Sequence, residues 1–156
     1  MSLLIDADYI VYKACAANET EIDYGDDVIV VTSNFSDAYE SVLKELYGIA
    51  DCLGSFDDSI LFFSDSRNFR KLLYPAYKGQ RSRKKPCGYK RVINALKEDF
   101  PVIKYPTLEA DDALGIYATK FPGNIIVSPD KDLRQIPGQL FNLTDPVITI
   151  LSLIHI

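Results

Sequence analysis

SLLIDA, Ser2–Ala7, decides the fold. An apolar run of Leu3, Leu4 and Ile5 ends abruptly on an aspartate. A short run without polar alternation predicts a strand buried on both faces, and Asp6 then stands at its carboxyl end. The construction recurs along the chain. ILFFS (Ile60–Ser64) runs into Asp65, and IIVS (Ile125–Ser128) runs through Pro129 into Asp130 and Asp132. VIKY (Val102–Tyr105) leads into TLEADD, which supplies Glu109, Asp111 and Asp112. VIVVT (Val28–Thr32) and QLFNL (Gln139–Leu143) predict two further strands. DYIVYKACAA, after the first strand, reads as a helix or turn. Helical periodicity covers the stretch from Asn34 or Ser36 to about Leu53, then Tyr89–Phe100 and Leu108–Phe121. Strands alternating with helices predict an α/β chain whose central, mostly parallel sheet is flanked by helices.

In such a sheet the site lies outside the carboxyl ends of the strands. Asp6, Asp65, Asp130 and Asp132 are thereby delivered to one edge, and TLEADD joins them from a helix start. Singly, each acid is an ordinary loop or cap residue. Thr107 is an acceptable N-cap, and carboxylates in a first helical turn complement the helix dipole. Asp8 and Asp111 are the weakest individual candidates. At ~100° per residue, Glu109 and Asp112 lie ~60° apart on one face, while Asp111 points elsewhere unless the helix begins later. Together the acids repel one another, and a shared cation offsets that cost. Carboxylates without histidine or thiolate make a hard, all-oxygen donor set that suits Mg²⁺ or Mn²⁺.

The 156 residues suit one domain, and 47% of them are apolar, which is not a disordered composition. Net charge is −5, yet ten of the seventeen lysines and arginines fall between Ser66 and Arg91, a span without a single acid. A basic segment in an acidic body is the pattern expected when one part grips phosphates and another holds metal cations. Tyr74 and Tyr77 interleave with these cations, as in surfaces that stack bases. The one histidine, His155, leaves no histidine zinc site and no Ser-His-Asp triad. Three cysteines at non-metal spacing fit reduced thiols in a cytoplasmic protein. No apolar run is long enough to cross a bilayer, and the first residues lack a basic signal-peptide region. No P-loop or GxGxxG follows a strand.

LLIDAD, FFSD followed by YPAYKGQR, LEADD and SPDKDL stand in the same order in the 5′→3′ exonuclease and 5′-flap endonuclease family, which this sequence resembles, its bacteriophage members especially. The resemblance spans nearly all of residues 2–143. It implies a PIN-like, Rossmann-like nuclease fold with a basic helical arch inserted at about residues 73–89. It implies metal binding by Asp6, Asp65, Glu109, Asp111, Asp112, Asp130 and Asp132. It gives Lys78 and Arg81 a catalytic place beside the scissile phosphate, and Tyr77 a stacking position near the terminal nucleotide. Arg83, Lys84 and Lys85 become DNA-binding residues of the arch. The implied activity is hydrolysis of DNA bearing a free 5′ end or 5′ flap, in phage replication or DNA degradation. The cofactors would be two Mg²⁺ ions, with Mn²⁺ able to substitute, and no covalent intermediate forms. A monomer is expected. Two rivals remain: a PIN-type ribonuclease, which the long basic insertion disfavours, and a non-catalytic DNA-binding module, which the near-complete acidic set disfavours.

The sequence departs from the family at its end. Family members normally continue to further aspartates beside a helix–two-turns–helix element, which complete the second metal site. This chain ends LSLIHI, the translation of CTGTCTCTTATACACATC, the end of a transposon-based sequencing adapter. Residues 1–150 are expected to be the family's N-terminal domain, and Leu151–Ile156, with His155, an adapter-encoded tail, the alternative being a genuine apolar terminal strand.

Overall fold

The computed structural model describes residues 2–53, 58–77, 85–143 and 148–151. Lys78, Arg81, Arg83 and Lys84, with much of the arch expected at 73–89, lie outside the described residues, as do residues 152–156 of the expected tail. The chain divides into two compact units, one built from residues 1–9, 55–82 and 100–156, the other from 10–54 and 83–99.

The first unit holds a six-stranded sheet. Its strands are β1 (Ser2–Asp6), β4 (Asp58–Phe62), β5 (Val102–Ile103), β6 (Ile125–Ser128), β7 (Gly138–Asn142) and β8 (Ile148–Leu151), in the spatial order β5-β4-β1-β6-β7-β8. All neighbours are parallel except β7 and β8, where Leu151 pairs with Gly138. The mostly parallel α/β sheet expected from the sequence is present. The chain leaves β1 for β4 and β5 on one side, then crosses to β6 on the other. Strand order reverses between β1 and β6, which opens a crevice at their carboxyl ends.

Burial follows the apolar runs. Leu3, Leu4 and Ile5 of β1 are fully buried, as are all four residues of β6 to within a few per cent. Helix α5 (Ala110–Lys120) packs on β1 and β4 through Ala110, Ala113 and Leu114, in a cluster with Leu4, Ile60, Phe62, Ile126, Leu133 and Leu140. Small residues at its start let α5 lie close to the sheet. Gly115 continues that closeness on the other flank, since a Cβ there would stand 2.9 Å from Ile136 Cδ1. Three short elements were not anticipated: β8, α3 (Phe69–Leu73) and a 3₁₀ turn at Lys131–Gln135.

The second unit contains most of α1 (Ala7–Ala17), α2 (Phe35–Leu53), α4 (Tyr89–Asp99) and a two-stranded hairpin of β2 (Glu19–Asp23) and β3 (Ile29–Ser33). Buried residues on α2 (Ala38, Val42, Leu46, Ile49) and α4 (Tyr89, Val92, Leu96) recur every three to four positions, the mark of one apolar face. Tyr39 donates to the Asp99 carboxylate, and Arg91 lies over the Phe35 ring, 4.3 Å from its centroid.

The hairpin corrects the sequence reading. The VIVVT strand was expected among the buried strands of the α/β alternation. It instead pairs antiparallel with ETEID and lies outside the six-stranded sheet. Ile29 is 58% exposed and Val31 43%. β-branched composition favours extended backbone but does not decide burial. The acidic partner strand carries no apolar pattern to announce it. The turn is made by Gly25, Asp26 and Asp27, all at positive φ (82°, 51° and 62°), conformations that Gly and Asp tolerate best. Ile29→Thr is accordingly expected to change stability by no more than about 0.5 kcal/mol in urea unfolding, as for an ordinary surface position. A buried strand residue would cost several times that. No helix among the described residues is long and apolar enough to cross a membrane.

Candidate metal centre

Because β1, β4, β5 and β6 run parallel, the residues that follow them share an edge. Asp6 is the last residue of β1 and is only 7% exposed. Ser128 is the last residue of β6 and is fully buried. Its hydroxyl donates to Asp6 Oδ2 at 3.0 Å and accepts the Asp130 N–H at 3.1 Å. One short side chain thus fixes acids from both sides of the switch point. Asp130 then caps the 3₁₀ turn, accepting the Asp132 N–H at 2.9 Å, and Asp132 sits on the rim.

Helix α5 supplies the next group. It starts two residues later than the sequence suggested: Glu109, not Thr107, is its N-cap. Thr107 instead takes a positive φ of 63° in the loop before it. This later start turns Asp111 toward the sheet edge, beside Asp130. Burial pushes the Asp111 carboxyl well above its ordinary range, and Asp130 and the charge of Asp6 push the same way. Asp6 is pushed up to about 7, by burial first and by the neighbouring charges of Asp8 and Asp130 next. Asp111, the weakest candidate by helical geometry, is therefore among the most strongly coupled groups of the edge.

Glu109 and Asp112 have a different environment. Arg70, on α3, reaches Asp112 with both terminal nitrogens, at 2.7 and 2.8 Å, and Glu109 at 3.2 Å. Asn68, the N-cap of α3, donates to the other Glu109 oxygen at 2.8 Å. Asp65 accepts the Thr107 N–H at 2.8 Å and lies 3.9 Å from Arg67 Nε. The Thr107 and Ser66 N–H groups, with Arg67 and Lys104, hold the Asp65 carboxyl below its ordinary range against the opposing effect of desolvation. Asp8 accepts the Ser64 N–H at 2.7 Å, and the Ser64 hydroxyl accepts the Ala110 N–H at 2.9 Å. A serine two residues past the end of β4 thus ties α5 to the sheet edge, much as Ser128 ties Asp6 to Asp130.

Tyr77 lines the same cleft as Glu109, Asp111, Asp112, Asp130 and Asp132, a cavity of about 1180 Å³. Lys85 belongs to the second unit, where its ammonium lies over the Tyr89 ring at 4.8 Å. Sequence reasoning missed Ser64, Asn68, Arg70 and Ser128 as site residues. A usable signal existed for the serines, which stand at the end of β6 and two residues past the end of β4, ahead of the acids. Among the described residues, no group of three or more of these acids is placed so that it could hold a metal ion. Their repulsion is relieved by protein donors instead: Ser128 for Asp6, Arg70 for Asp112, Thr107 for Asp65. The donor set still fits a divalent cation of the Mg²⁺ type. It is all oxygen, it sets Asp111 beside Asp130, and its buried member Asp6 has like charges on both sides.

The fold is shared with solved phage nuclease structures. The chain is similar to the bacteriophage T5 5′-exonuclease solved with zinc, at 15% identity and a TM-score of 0.64, covering 96% of this chain and 58% of that one. It is similar too to the T5 flap endonuclease in a complex with DNA and metal ions, at 14% identity and a TM-score of 0.63, covering 96% and 57%. At the level of sequence, the family model described as 5′-3′ exonuclease, N-terminal resolvase-like domain, matches residues 1–152, and the chain belongs to that family. It is 31% identical over 147 residues to an exonuclease of Escherichia phage T7 and 31% identical over 154 residues to an exodeoxyribonuclease of Enterobacteria phage T3. Each match covers 87% of this chain, and the chain spans 49% of each relative's length.

Proposed function

We propose that the chain forms the catalytic edge of a divalent-metal-dependent nuclease that hydrolyses DNA phosphodiesters near a free 5′ end or at a 5′ flap. The observation that carries this reading is the meeting of Asp6 and Asp130 at the Ser128 hydroxyl across the β1/β6 switch point, with Asp111 beside Asp130. Family membership and the basic segment support it. Asp6, Asp111 and Asp130 would hold the first cation, with Asp65, Glu109, Asp112 and Asp132 completing the set. When bound, Mg²⁺ supplies water activation and charge neutralisation at the phosphodiester, and Mn²⁺ serves equally.

The chain's own residues do the rest. Ser128 keeps the Asp6 and Asp130 carboxylates in register across the crevice. Ser64 and Asp8 hold the start of α5 so that Asp111 faces them. Tyr77, on the cleft wall, stacks on a base at the 5′ end. Lys78 and Arg81 add positive charge where it is needed in the transition state, and Arg83, Lys84 and Lys85 hold the DNA backbone. The role envisaged is replication or degradation of DNA during phage infection, by a monomer.

The test is cleavage of a fluorescent 5′-flap duplex in Mg²⁺ and in EDTA, beside Asp130→Asn and a single-stranded RNA of matched length. Cleavage of the flap in Mg²⁺, lost in EDTA and in the variant, is the expected result. Preferential cleavage of the RNA would replace the DNA reading by a ribonuclease. Salt-sensitive DNA binding without metal-dependent cleavage would reduce the chain to a binding module.

A further inference from the structure

The acidic edge already contains a cation. Arg70 grips Asp112 through two parallel bonds of 2.7 and 2.8 Å and reaches Glu109 Oε2 at 3.2 Å. Asn68 Nδ2 takes Glu109 Oε1 at 2.8 Å, and the Glu109 N–H reaches Asp112 Oδ2 at 3.3 Å. Every oxygen of these two carboxylates therefore has a protein donor. Asp6 and Asp130 are instead joined through one hydroxyl, Ser128 donating to Asp6 Oδ2 at 3.0 Å and accepting the Asp130 N–H at 3.1 Å. The edge is thus divided: Arg70 neutralises one pair of acids from within, while Asp6 and Asp130 meet at the Ser128 hydroxyl.

We propose that Arg70 is a resident counter-cation that keeps Glu109 and Asp112 from divalent metal, so that the DNA-free chain takes one ion at Asp6, Asp111 and Asp130 and a second only when Arg70 lets go. Sterics and charge both argue for exclusion. A divalent cation must approach an oxygen to about 2.0–2.2 Å, which it cannot do where a guanidinium already spans both oxygens of one carboxylate. Release is also built in. The Arg70 side chain is one-third exposed and faces the open cleft. It rides on a five-residue helix with no buried residue of its own. A guanidinium fork fits a phosphodiester as well as it fits a carboxylate, so a DNA phosphate entering the cleft is the natural competitor. Arg70 would then act as a positioning residue that makes the second cation's entry depend on substrate.

This inference rests on the metal-dependent reading above. Its test counts Mn²⁺ ions bound per chain, without DNA, by electron paramagnetic resonance of the free ion. The proteins are the unsubstituted chain, Arg70→Gln, Arg70→Lys, and Arg70→Gln combined with Asp112→Asn. Circular dichroism confirms that each is folded. The unsubstituted chain is expected to bind one ion well and a second at least tenfold more weakly. Arg70→Gln should tighten the second ion at least tenfold, and adding Asp112→Asn should cancel that gain. Arg70→Lys keeps the charge but loses the two-pronged grip, so its second ion should bind at least threefold more tightly than in the unsubstituted chain. This variant decides the question if Arg70→Gln fails to fold. A purely structural role for Arg70 would lower the melting temperature and leave the count unchanged. Equal second-ion affinity in the unsubstituted chain and the folded Arg70 variants overturns the inference and leaves the metal reading standing. Absence of Mn²⁺ binding in every protein overturns both.

Discussion

Asp6→Asn is expected to lower DNA cleavage about a thousandfold or more while making the metal-free chain harder to unfold. The first effect follows from lost charge at the proposed cation site. A bound cation supplies several kcal/mol of transition-state stabilisation, and each ~1.4 kcal/mol is tenfold in rate. The second follows from where Asp6 sits. It is 7% exposed, with Asp8 and Asp130 beside it, and its carboxyl is pushed up to about 7 from an ordinary 3.8. The folded chain therefore holds a proton more tightly than the unfolded chain does. Stability associated with Asp6 is complete below about pH 4 and is lost as pH rises toward 7. At pH 8 an asparagine, which can still accept the Ser128 hydroxyl, removes this burden and should raise stability by on the order of 2 kcal/mol. Urea unfolding in EDTA at pH 5 and pH 8 reads the effect. The unsubstituted chain should weaken between the two, and Asp6→Asn should weaken less. Millimolar Mg²⁺ should stabilise the unsubstituted chain more than the variant. Equal pH dependence in the two proteins would place the strain elsewhere in the cluster.

The strands that carry the site were legible because parallel, doubly covered strands leave a strong mark: LLI, ILFF and IIV are continuous apolar runs that end at Asp6, Ser64 and Ser128. The acids that follow them could be assigned to one edge from topology alone. Other features were hidden for identifiable reasons. VIVVT resembles a buried strand because β-branched residues suit any extended backbone, and its exposure is decided by an acidic partner strand of no apolar pattern. The start of α5 was placed two residues early because Thr is a good cap in isolation. In the fold, the Thr107 backbone N–H is drawn instead to Asp65, and Glu109 takes over the cap position. That two-residue difference meets the condition on which Asp111 depended, a later helix start, and Asp111 faces the edge. Arg70 was counted among the basic residues of a phosphate-binding segment. Its partners lie some forty residues along the chain, and pairing at that distance has no local signature. Lys78, Arg81, Arg83 and Lys84 lie outside the described residues, so their proposed roles rest on resemblance.

Phe62→Ala should produce the opposite pattern to Asp6→Asn: a large loss of stability with little direct loss of chemistry. Phe62 ends β4, directly beside Asp6 in the parallel register, and it is fully buried. Its ring meets Tyr117 of α5 edge-on, with centroids 5.5 Å apart, inside the cluster formed by Leu4, Leu114, Ile126 and Leu140. Removing such a ring costs about 3–5 kcal/mol, because the transfer free energy is lost and the surrounding core fills the void only in part. For a domain of this size that lowers the melting temperature by on the order of 10 °C. Phe62→Leu, which retains most of the volume, should cost less than half as much. The site is affected through the backbone. Two residues on, Ser64 donates its N–H to Asp8 and accepts from Ala110, so a slackened β4 end loosens the link that aims Asp111. Well below the melting temperature the folded fraction of Phe62→Ala should therefore bind Mn²⁺ within about fivefold of the unsubstituted affinity, since each 1.4 kcal/mol of coupling to the site would be tenfold. Asp6→Asn should lose that binding while melting higher. A loss of Mn²⁺ affinity in Phe62→Ala as large as in Asp6→Asn would mean that the acidic edge is held in place by the core beneath it more than by Ser64 and Ser128. The serine links would then be accessory to the geometry of the edge, and core packing its main support.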